Sequence, residues 1–257
     1  MHDSGNGYIN YGKTALARAV FTVCLLSFLA FMVPAHASAR YTTKNDDFNL
    51  QPWSSSHQYY FEGLEAFGDN DMAQAYFLFS IAARQGHTDA HYHLGNLHFN
   101  NLVDESSLPR AMYHYQIAAN NGHARAQYNI GVAYAKGITF TEDMETAVSW
   151  WERAALGGNV DAQYNLGLIY SRGKGVDANA GTAANWWRMA AEQGDPAAQF
   201  NLGVMHANGE GVHKSLSEAV KWWKLSATQG FQNAIYALQA LGYVKLRVDQ
   251  NGDPIAD

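Results

Sequence analysis

The strongest constraint on this chain is a repeat of 36 residues that runs through most of its length. Glycines return at this interval, and so do alanines. The two columns are Gly86, Gly122, Gly158, Gly194 and Gly230, and Ala90, Ala126, Ala162, Ala198 and Ala234. Self-similarity at a fixed period of this size is typical of solenoids, in which each unit buries its apolar face against its neighbours. The pattern therefore predicts stacked units rather than one central core.

Each unit contains two amphipathic helices. Apolar or small residues recur at i, i+4, i+5 and i+8, as in Ala126, Ile130, Gly131 and Tyr134, which is one helical face. Four units align without a gap, at 82–117, 118–153, 154–189 and 190–225. A glycine recurs in the middle of each first helix, where it costs roughly 1 kcal/mol relative to alanine, so we expect a neighbouring helix to approach closely there.

The second helices share a column of good N-cap residues: Asp71, Ser107, Asp143, Asn179 and Ser215. Because Asp71 belongs to this column, residues 58–81 are predicted to form a compact first unit. Residues 231–247 predict one further, unpaired helix, as the end of a solenoid requires. The tail 248–257 contains Asn251-Gly252 and indicates a frayed turn or a short hairpin. The predicted fold is an all-α solenoid of about five helix-turn-helix repeats over 58–247.

The first 37 residues have the order of a secretory signal. Lys13 and Arg18 precede an apolar run at 19–33, and Ala35-His36-Ala37 follows as an A-x-A site. The run is short for a bilayer span, which needs roughly 20 residues, but an uncleaved anchor stays an alternative. Residues 38–57 are polar and predict a flexible linker, with Trp53 either packed on the first repeat or exposed. We therefore expect an exported, periplasmic protein; anchoring in the inner membrane, facing the periplasm, and secretion are the alternatives.

Cysteine content and charge exclude several classes of function. Cys24, in the apolar run, is the only cysteine, so the exported part has no disulfide, thiolate metal site or cysteine nucleophile. Without residues 1–37 the chain has 15 basic and 22 acidic side chains, a net charge of about −7. A net-acidic chain without a cluster of lysine and arginine argues against nucleic acid and anionic membrane surfaces as partners.

The strings AAEQGDPAAQFNLGVMHANGEGV and SLSEAVKWWKLSATQG resemble the SEL-one-like repeat, a subclass of tetratricopeptide-like repeats. The resemblance rests on A-A-x-x-G-x-x-x-A-x-x-x-L-G, then G-x-G-V, then A-x-x-W-W, and covers residues 58–245. It implies a right-handed superhelix and a role as an adaptor, which exported bacterial relatives have in the cell envelope. The unit 82–117 departs from the pattern, since His114-Tyr115 replaces the tryptophan pair.

Three repeated columns are candidates for partner binding. Neighbouring residues on a helix differ by about 100°, so one tryptophan of each pair should fill the core and the other should lie in a seam or at the surface. Asparagine is a poor interior helix residue, which indicates either a structural hydrogen bond to the adjoining unit or a ladder that binds an extended peptide. The candidates are Trp150, Trp186 and Trp222; Asn129, Asn165 and Asn201; and Tyr128, Tyr164 and Phe200.

Histidines are concentrated near the unit 82–117. His87 and His91 are four residues apart on one helix, close enough to share a metal ion if a third ligand arrives. Yet His91 shares its column with Gln127, Gln163 and Gln199, which favours ordinary substitution, so no metal or cofactor is predicted. No catalytic motif occurs either: G-x-S-x-G, S-x-x-K with S-D-N, H-E-x-x-H and a phosphate-binding loop are all missing from the sequence.

The sequence therefore predicts a protein–protein adaptor of the bacterial envelope, with no catalytic residues. A component that assembles envelope polysaccharide or peptidoglycan is the first alternative, since exposed aromatic rings stack on sugars. An enzyme that processes peptidoglycan or β-lactams is the second, and the missing motifs and cysteines disfavour it.

Overall fold

The computed structural model describes residues 55–104 and 106–243, together with the strand residues 247–248 and 254–255. Over these residues the chain forms eleven helices and one short strand pair. The helices are α1 (Ser55–Gly68), α2 (Met72–Arg84), α3 (Thr88–Phe99), α4 (Leu108–Asn120), α5 (Ala124–Lys136), α6 (Met144–Leu156), α7 (Val160–Arg172), α8 (Ala180–Glu192), α9 (Pro196–Asn208), α10 (Leu216–Thr228) and α11 (Gln232–Ala240). The signal segment, most of the linker and Trp53 lie outside the described residues.

The helices form five hairpins, α1–α2 to α9–α10, followed by the single helix α11. Each helix packs mainly against the helices before and after it in the chain. The buried apolar clusters each join the second helix of one hairpin to the first helix of the next, as Ala147, Val148 and Ala154 of α6 do with Leu166 of α7. A hairpin therefore has no complete core without its neighbour, and the predicted all-α solenoid is confirmed.

The predicted caps define the helix ends. All five residues of the second-helix cap column accept a hydrogen bond from the backbone N–H three residues on, at 2.9–3.3 Å. The Gly86 column follows the second helices with φ between +79° and +97°, the left-handed conformation that glycine adopts without strain. Asp195 caps α9 through the N–H of Ala198 at 2.6 Å, and Pro196 occupies the first helical position.

The mid-helix glycines give space to aromatic rings of the following helix. A Cβ built on Gly131, Gly167 or Gly203 would lie 2.4–2.6 Å from the indole of the second tryptophan of that hairpin. Gly95 meets Tyr115 in the same way, at 2.5 Å. The predicted close approach of a neighbouring helix is therefore confirmed, and the approaching group is a ring.

The structure corrects two predicted boundaries. Helix α1 begins at Ser55, inside the segment predicted as linker 38–57. Helix α11 ends at Ala240 rather than at 247, because Gly242 turns the chain at φ +74° and the N–H of Tyr243 bonds the Leu238 carbonyl. Beyond it β1 (Arg247–Val248) pairs antiparallel with β2 (Pro254–Ile255), the hairpin alternative for the tail. In the described part of the chain, no helix has both the length and the apolar character that a membrane crossing needs.

Candidate partner-binding surface

The tryptophan pairs divide between core and seam. The second ring of each pair is buried, with 6–7% of its surface exposed, and its indole N–H donates to a backbone carbonyl of the first helix. These bonds join Trp151 to Tyr128, Trp187 to Tyr164 and Trp223 to Phe200, at 3.1–3.2 Å. Because burial and a hydrogen bond both fix these rings, they position the hairpin and are not available to a partner.

The first ring of each pair is half-buried. Trp150 packs against the α4–α5 cluster, Trp186 against the α6–α7 cluster and Trp222 against the α8–α9 cluster. Each ring thus covers the seam with the preceding hairpin. The Arg153 guanidinium lies 4.3 Å from the Trp150 ring centroid, a cation–π contact. Part of each ring stays exposed, so a role in partner binding stays a prediction for these three residues.

The aromatic residues of the first helices pack toward the following hairpin, whereas the first tryptophans pack toward the preceding one. Tyr128 packs against the α6–α7 cluster, Tyr164 against the α8–α9 cluster and Phe200 against the α10–α11 cluster. All three rings are half-buried, and Phe200 also contacts Phe231 at 5.6 Å between centroids. Each ring therefore joins its own hairpin to the next one and keeps one part exposed.

One member of the asparagine column connects two successive first helices. Asn165 Nδ2 on α7 donates to the Tyr128 hydroxyl on α5 at 3.2 Å. The equivalent step between α1 and α3 places the Tyr60 hydroxyl 3.4 Å from His93 Nε2. Asn129, Asn165 and Asn201 are all half-buried. The structural hydrogen bond expected from sequence is thus present at Asn165, while peptide binding by this column stays a prediction.

The candidate columns meet at the buried clusters between hairpins. Tyr128 and Trp186 both pack against the α6–α7 cluster, and Tyr164 and Trp222 both pack against the α8–α9 cluster. The aromatic and asparagine columns also contact each other directly, through the hydrogen bond of Tyr128 with Asn165. We call the exposed parts of Tyr128, Tyr164, Phe200, Asn129, Asn165 and Asn201 the first-helix face.

Charged groups stand at the start of the same helices: Asp161 lies in the first turn of α7, and Asp195 is the N-cap of α9. Burial raises the pKa of Asp161, and the Arg125 guanidinium acts in the opposite direction. Burial is also the largest cause of the raised pKa of Asp195, and the neighbouring charge of Asp161 adds to it. Because the charge of Asp161 raises the pKa of Asp195, a further cation near these carboxylates would favour their ionised forms. This part of the face suits a basic side chain of a partner.

The histidines of α3 and α4 are arranged differently from the predicted pair. His87 stacks on Tyr60, with ring centroids 4.2 Å apart. His91 instead meets His114, with their Nδ1 atoms 3.1 Å apart. Burial lowers the pKa of His91, against a backbone hydrogen bond to Ala83, and burial together with the charges of His91 and His98 lowers the pKa of His114 to about 4.

Sequence reasoning missed the meeting of His91 and His114. The signal was present in the columns, because one unit loses both its glutamine and its first tryptophan, and histidine stands at both positions. In the part of the chain that the structure describes, no three His, Cys, Asp or Glu side chains converge as a complete metal site.

Comparison with protein families identifies the repeats. The family model described as Sel1 repeat matches five consecutive stretches of the chain. They are 56–87, 88–123, 124–159, 160–195 and 196–231. These stretches correspond to the hairpins α1–α2 to α9–α10, each with the turn that follows it. Sel1 repeat proteins are generally non-catalytic scaffolds for protein interaction.

Solved structures of the same fold resemble the chain over most of its length. A protective antigen of uropathogenic Escherichia coli with an SLR fold is 30% identical, with a TM-score of 0.68 over 74% of this chain and 43% of that one. A Sel1 repeat protein from Oxalobacter formigenes is 32% identical, with a TM-score of 0.67 over 72% of this chain and 55% of its own. The chain thus spans about half the length of these two proteins.

No curated protein matches the chain. The assignment therefore depends on the five matched repeats, the two solved structures and the geometry of the hairpins. On that basis the chain belongs to the Sel1 repeat family.

Proposed function

We propose that this protein is a scaffold of the bacterial cell envelope that binds another protein along the first-helix face. The observation that carries the proposal is the regular return of half-buried Tyr128, Tyr164 and Phe200, one hairpin apart, beside the asparagine column. Stacked repeats of this kind produce extended surfaces on which one partner contacts several units at once.

At Tyr128 the face is held in place by contacts within the array. The ring of Tyr128 is held by packing against α6 and α7, and its hydroxyl accepts a hydrogen bond from Asn165. A surface whose side chains are already ordered loses little conformational entropy on binding, so more of the interaction energy appears as affinity. Tyrosine rings also supply large contact area with few rotatable bonds.

The charges indicate the chemistry of the bound segment. Asp161 stands one turn before Tyr164 on α7, Asp195 caps α9, which carries Phe200, and each carboxyl has a raised pKa. We infer a partner segment that is extended, carries an apolar or aromatic residue for the gaps between rings, and places a lysine or arginine near these carboxylates.

Export is part of the proposal. It depends on the segment 1–37, in which basic residues, an apolar run and an A-x-A site follow one another. Expression in a bacterial host and N-terminal sequencing of the periplasmic protein should give Ser38 as the first residue. A protein that keeps residues 1–37 and stays with the inner membrane would favour the anchored alternative, and recovery from the cytoplasm would contradict export.

The binding proposal is tested by capture from a solubilised envelope fraction, with purified peptidoglycan and envelope polysaccharide as separate ligands. Asp161→Ala is a mild variant, because alanine stands in the same column at Ala197. Asn185→Ala on α8 is the matched control, since Asn185 is exposed on a second helix. We expect one protein captured by the wild type and by the control, and lost with Asp161→Ala.

Two results would contradict the proposal. Equal capture by the wild type and both variants would place the binding surface elsewhere, and selective retention on peptidoglycan or polysaccharide would favour the glycan alternative. Hydrolysis of a chromogenic β-lactam by the purified protein would instead support the enzyme alternative. Melting temperatures of the variants, measured in parallel, separate lost binding from lost folding.

A further inference from the structure

We propose that His91 and His114 form a binding site for one divalent transition-metal ion, in the cleft between α2 and α4. The cleft has a volume of about 390 Å³ and is lined by both histidines together with Tyr76, Ser80, Arg84 and Tyr113. The site differs from the first-helix face, because His114 belongs to a second helix and occupies the column of Trp150.

The spacing of the two ring nitrogens fits two ligands of one ion. His91 Nδ1 and His114 Nδ1 are 3.1 Å apart. With metal–nitrogen bonds of about 2.0–2.1 Å, two neighbouring ligands lie about 2.9 Å apart at a right angle and about 3.4 Å apart in a tetrahedron. The observed distance falls between these values. The two nitrogens also share a hydrogen bond, so the Nδ1 that carries the proton must release it and both rings must turn toward the ion.

The cleft leaves space for the remaining ligands. Trp150, Trp186 and Trp222 half-bury their large rings in the later seams, whereas this seam has the smaller ring of His114. None of the residues that line the cleft is acidic, and Arg84 is among them. Two neutral imidazoles leave the charge of the ion uncompensated, so we expect water and one anion, held near Arg84, to complete the coordination.

The backbone around His91 supports this role. In the later repeats Gln127, Gln163 and Gln199 donate to the carbonyls of Ala119, Ala155 and Ala191, at 2.9–3.1 Å. His91 occupies the same position, where burial lowers the pKa of its ring and the Ala83 carbonyl raises it. A histidine that binds metal commonly donates its second ring N–H to a backbone carbonyl, which fixes the ring and makes the ligand nitrogen more basic.

The donor set selects the class of ion. Imidazole ligands suit Zn²⁺, Cu²⁺ and Ni²⁺, whereas Mg²⁺ and Ca²⁺ prefer oxygen ligands. Among the first three, Cu²⁺ binds nitrogen ligands most tightly. A site with two protein ligands and open positions should therefore bind Cu²⁺ most strongly, then Ni²⁺ or Zn²⁺, and should not bind Mg²⁺.

The test uses the full chain, produced without a histidine tag, and calorimetric titration with Cu²⁺, Zn²⁺ and Mg²⁺. The repeats supply conservative variants: His91→Gln introduces the glutamine of the later repeats, and His114→Trp introduces their tryptophan. His213→Gln is the control, because His213 is exposed in a distant turn. We expect one equivalent of Cu²⁺ in the wild type and the control, and affinity at least roughly tenfold weaker in His91→Gln and His114→Trp.

A second measurement does not depend on the variants. The electron paramagnetic resonance spectrum of the wild type with one equivalent of Cu²⁺ should show hyperfine coupling to two imidazole nitrogens. The proposal is wrong if the wild type shows no saturable binding, if His91→Gln and His114→Trp bind as tightly as the control, or if the spectrum shows oxygen ligands alone. Melting temperatures of the metal-free variants identify a change caused by misfolding.

Discussion

Replacing Gly167 by alanine tests the packing that joins the two helices of a hairpin. A Cβ at this position would lie 2.4 Å from both Cδ1 and Nε1 of Trp187. Carbon atoms pack comfortably at about 3.5–4.0 Å, so the ring must move by more than about 1 Å. Trp187 is 6% exposed and its indole N–H bonds the Tyr164 carbonyl at 3.2 Å, so the ring has no open space to enter.

Three contributions determine the size of the effect. Overpacking of a core costs about 1–3 kcal/mol, and loss of the indole hydrogen bond costs about 1 kcal/mol more. Alanine in place of a mid-helix glycine stabilises the helix by about 1 kcal/mol. The net result is a destabilisation of about 1–3 kcal/mol, which lowers the melting temperature by roughly 2–4 °C per kcal/mol in a domain of this size.

The measurement is urea unfolding followed by circular dichroism and tryptophan fluorescence. Gly181→Ala on α8 is the matched control, because its nearest contact would be Asn179 Oδ1 at an ordinary 3.4 Å. We expect the control to be neutral or slightly stabilising. In a Trp187→Leu background the cost of Gly167→Ala should shrink, since the clashing ring is gone. Equal stabilisation by Gly167→Ala and Gly181→Ala would refute the reasoning.

Two further predictions concern the first helices. Asp195→Asn keeps the helix cap, since asparagine already caps α7 at Asn159, and removes the half-buried charge. Because the folded pKa of Asp195 lies above its unfolded value of about 3.9, the wild type loses stability as the pH rises through these values. The variant should therefore have a higher free energy of unfolding in urea than the wild type at pH 7, and the same free energy below about pH 3. A difference that persists below about pH 3 would show that the ionised carboxylate is not the cause. Asn165→Ala and Tyr128→Phe each remove the hydrogen bond between α7 and α5, and each should lower the free energy of unfolding by about 0.5–1.5 kcal/mol. The double variant should be clearly less destabilised than the sum of the two single variants. Additive losses would show that the two groups do not interact.

The fold was accessible from sequence because its signals are local and repeated. Asp71, Ser107 and Asp143 mark helix starts by their chemistry, and the structure shows each one accepting the capping hydrogen bond. The glycine column marks helix ends for an equally local reason, its positive φ. Because the same pattern recurs in successive repeats, the bounds of a helix that are ambiguous in one repeat can be read from the others.

The errors arose where one copy had no others to compare with it. The sequence predicts the last helix over 231–247 from Ala234 and Leu238, but α11 ends at Ala240 because Gly242 turns the chain. Helix α1 begins three residues before the predicted first unit 58–81, at serines that the sequence assigns to the linker.

The candidate site was predictable in its residue types but not in its geometry. The sequence indicates that the tryptophans of a pair diverge, but the choice of Trp151 over Trp150 for the core depends on the position of Gly131 across the hairpin. The bond from Asn165 to Tyr128 and the contact of His91 with His114 join residues on different helices. Such distances depend on how the hairpins stack, which spacing along the chain does not give.

Site-specific photo-crosslinking tests most directly the claim that a partner protein binds the first-helix face. A photoreactive phenylalanine analogue replaces Tyr164 in one preparation and exposed Asn185, on the second helix of the same hairpin, in another. The account predicts a discrete crosslinked protein in the envelope from position 164 and none from position 185, with the 164 product lost on Asp161→Ala. A partner crosslinked only from position 185, or equally from both positions, would contradict it.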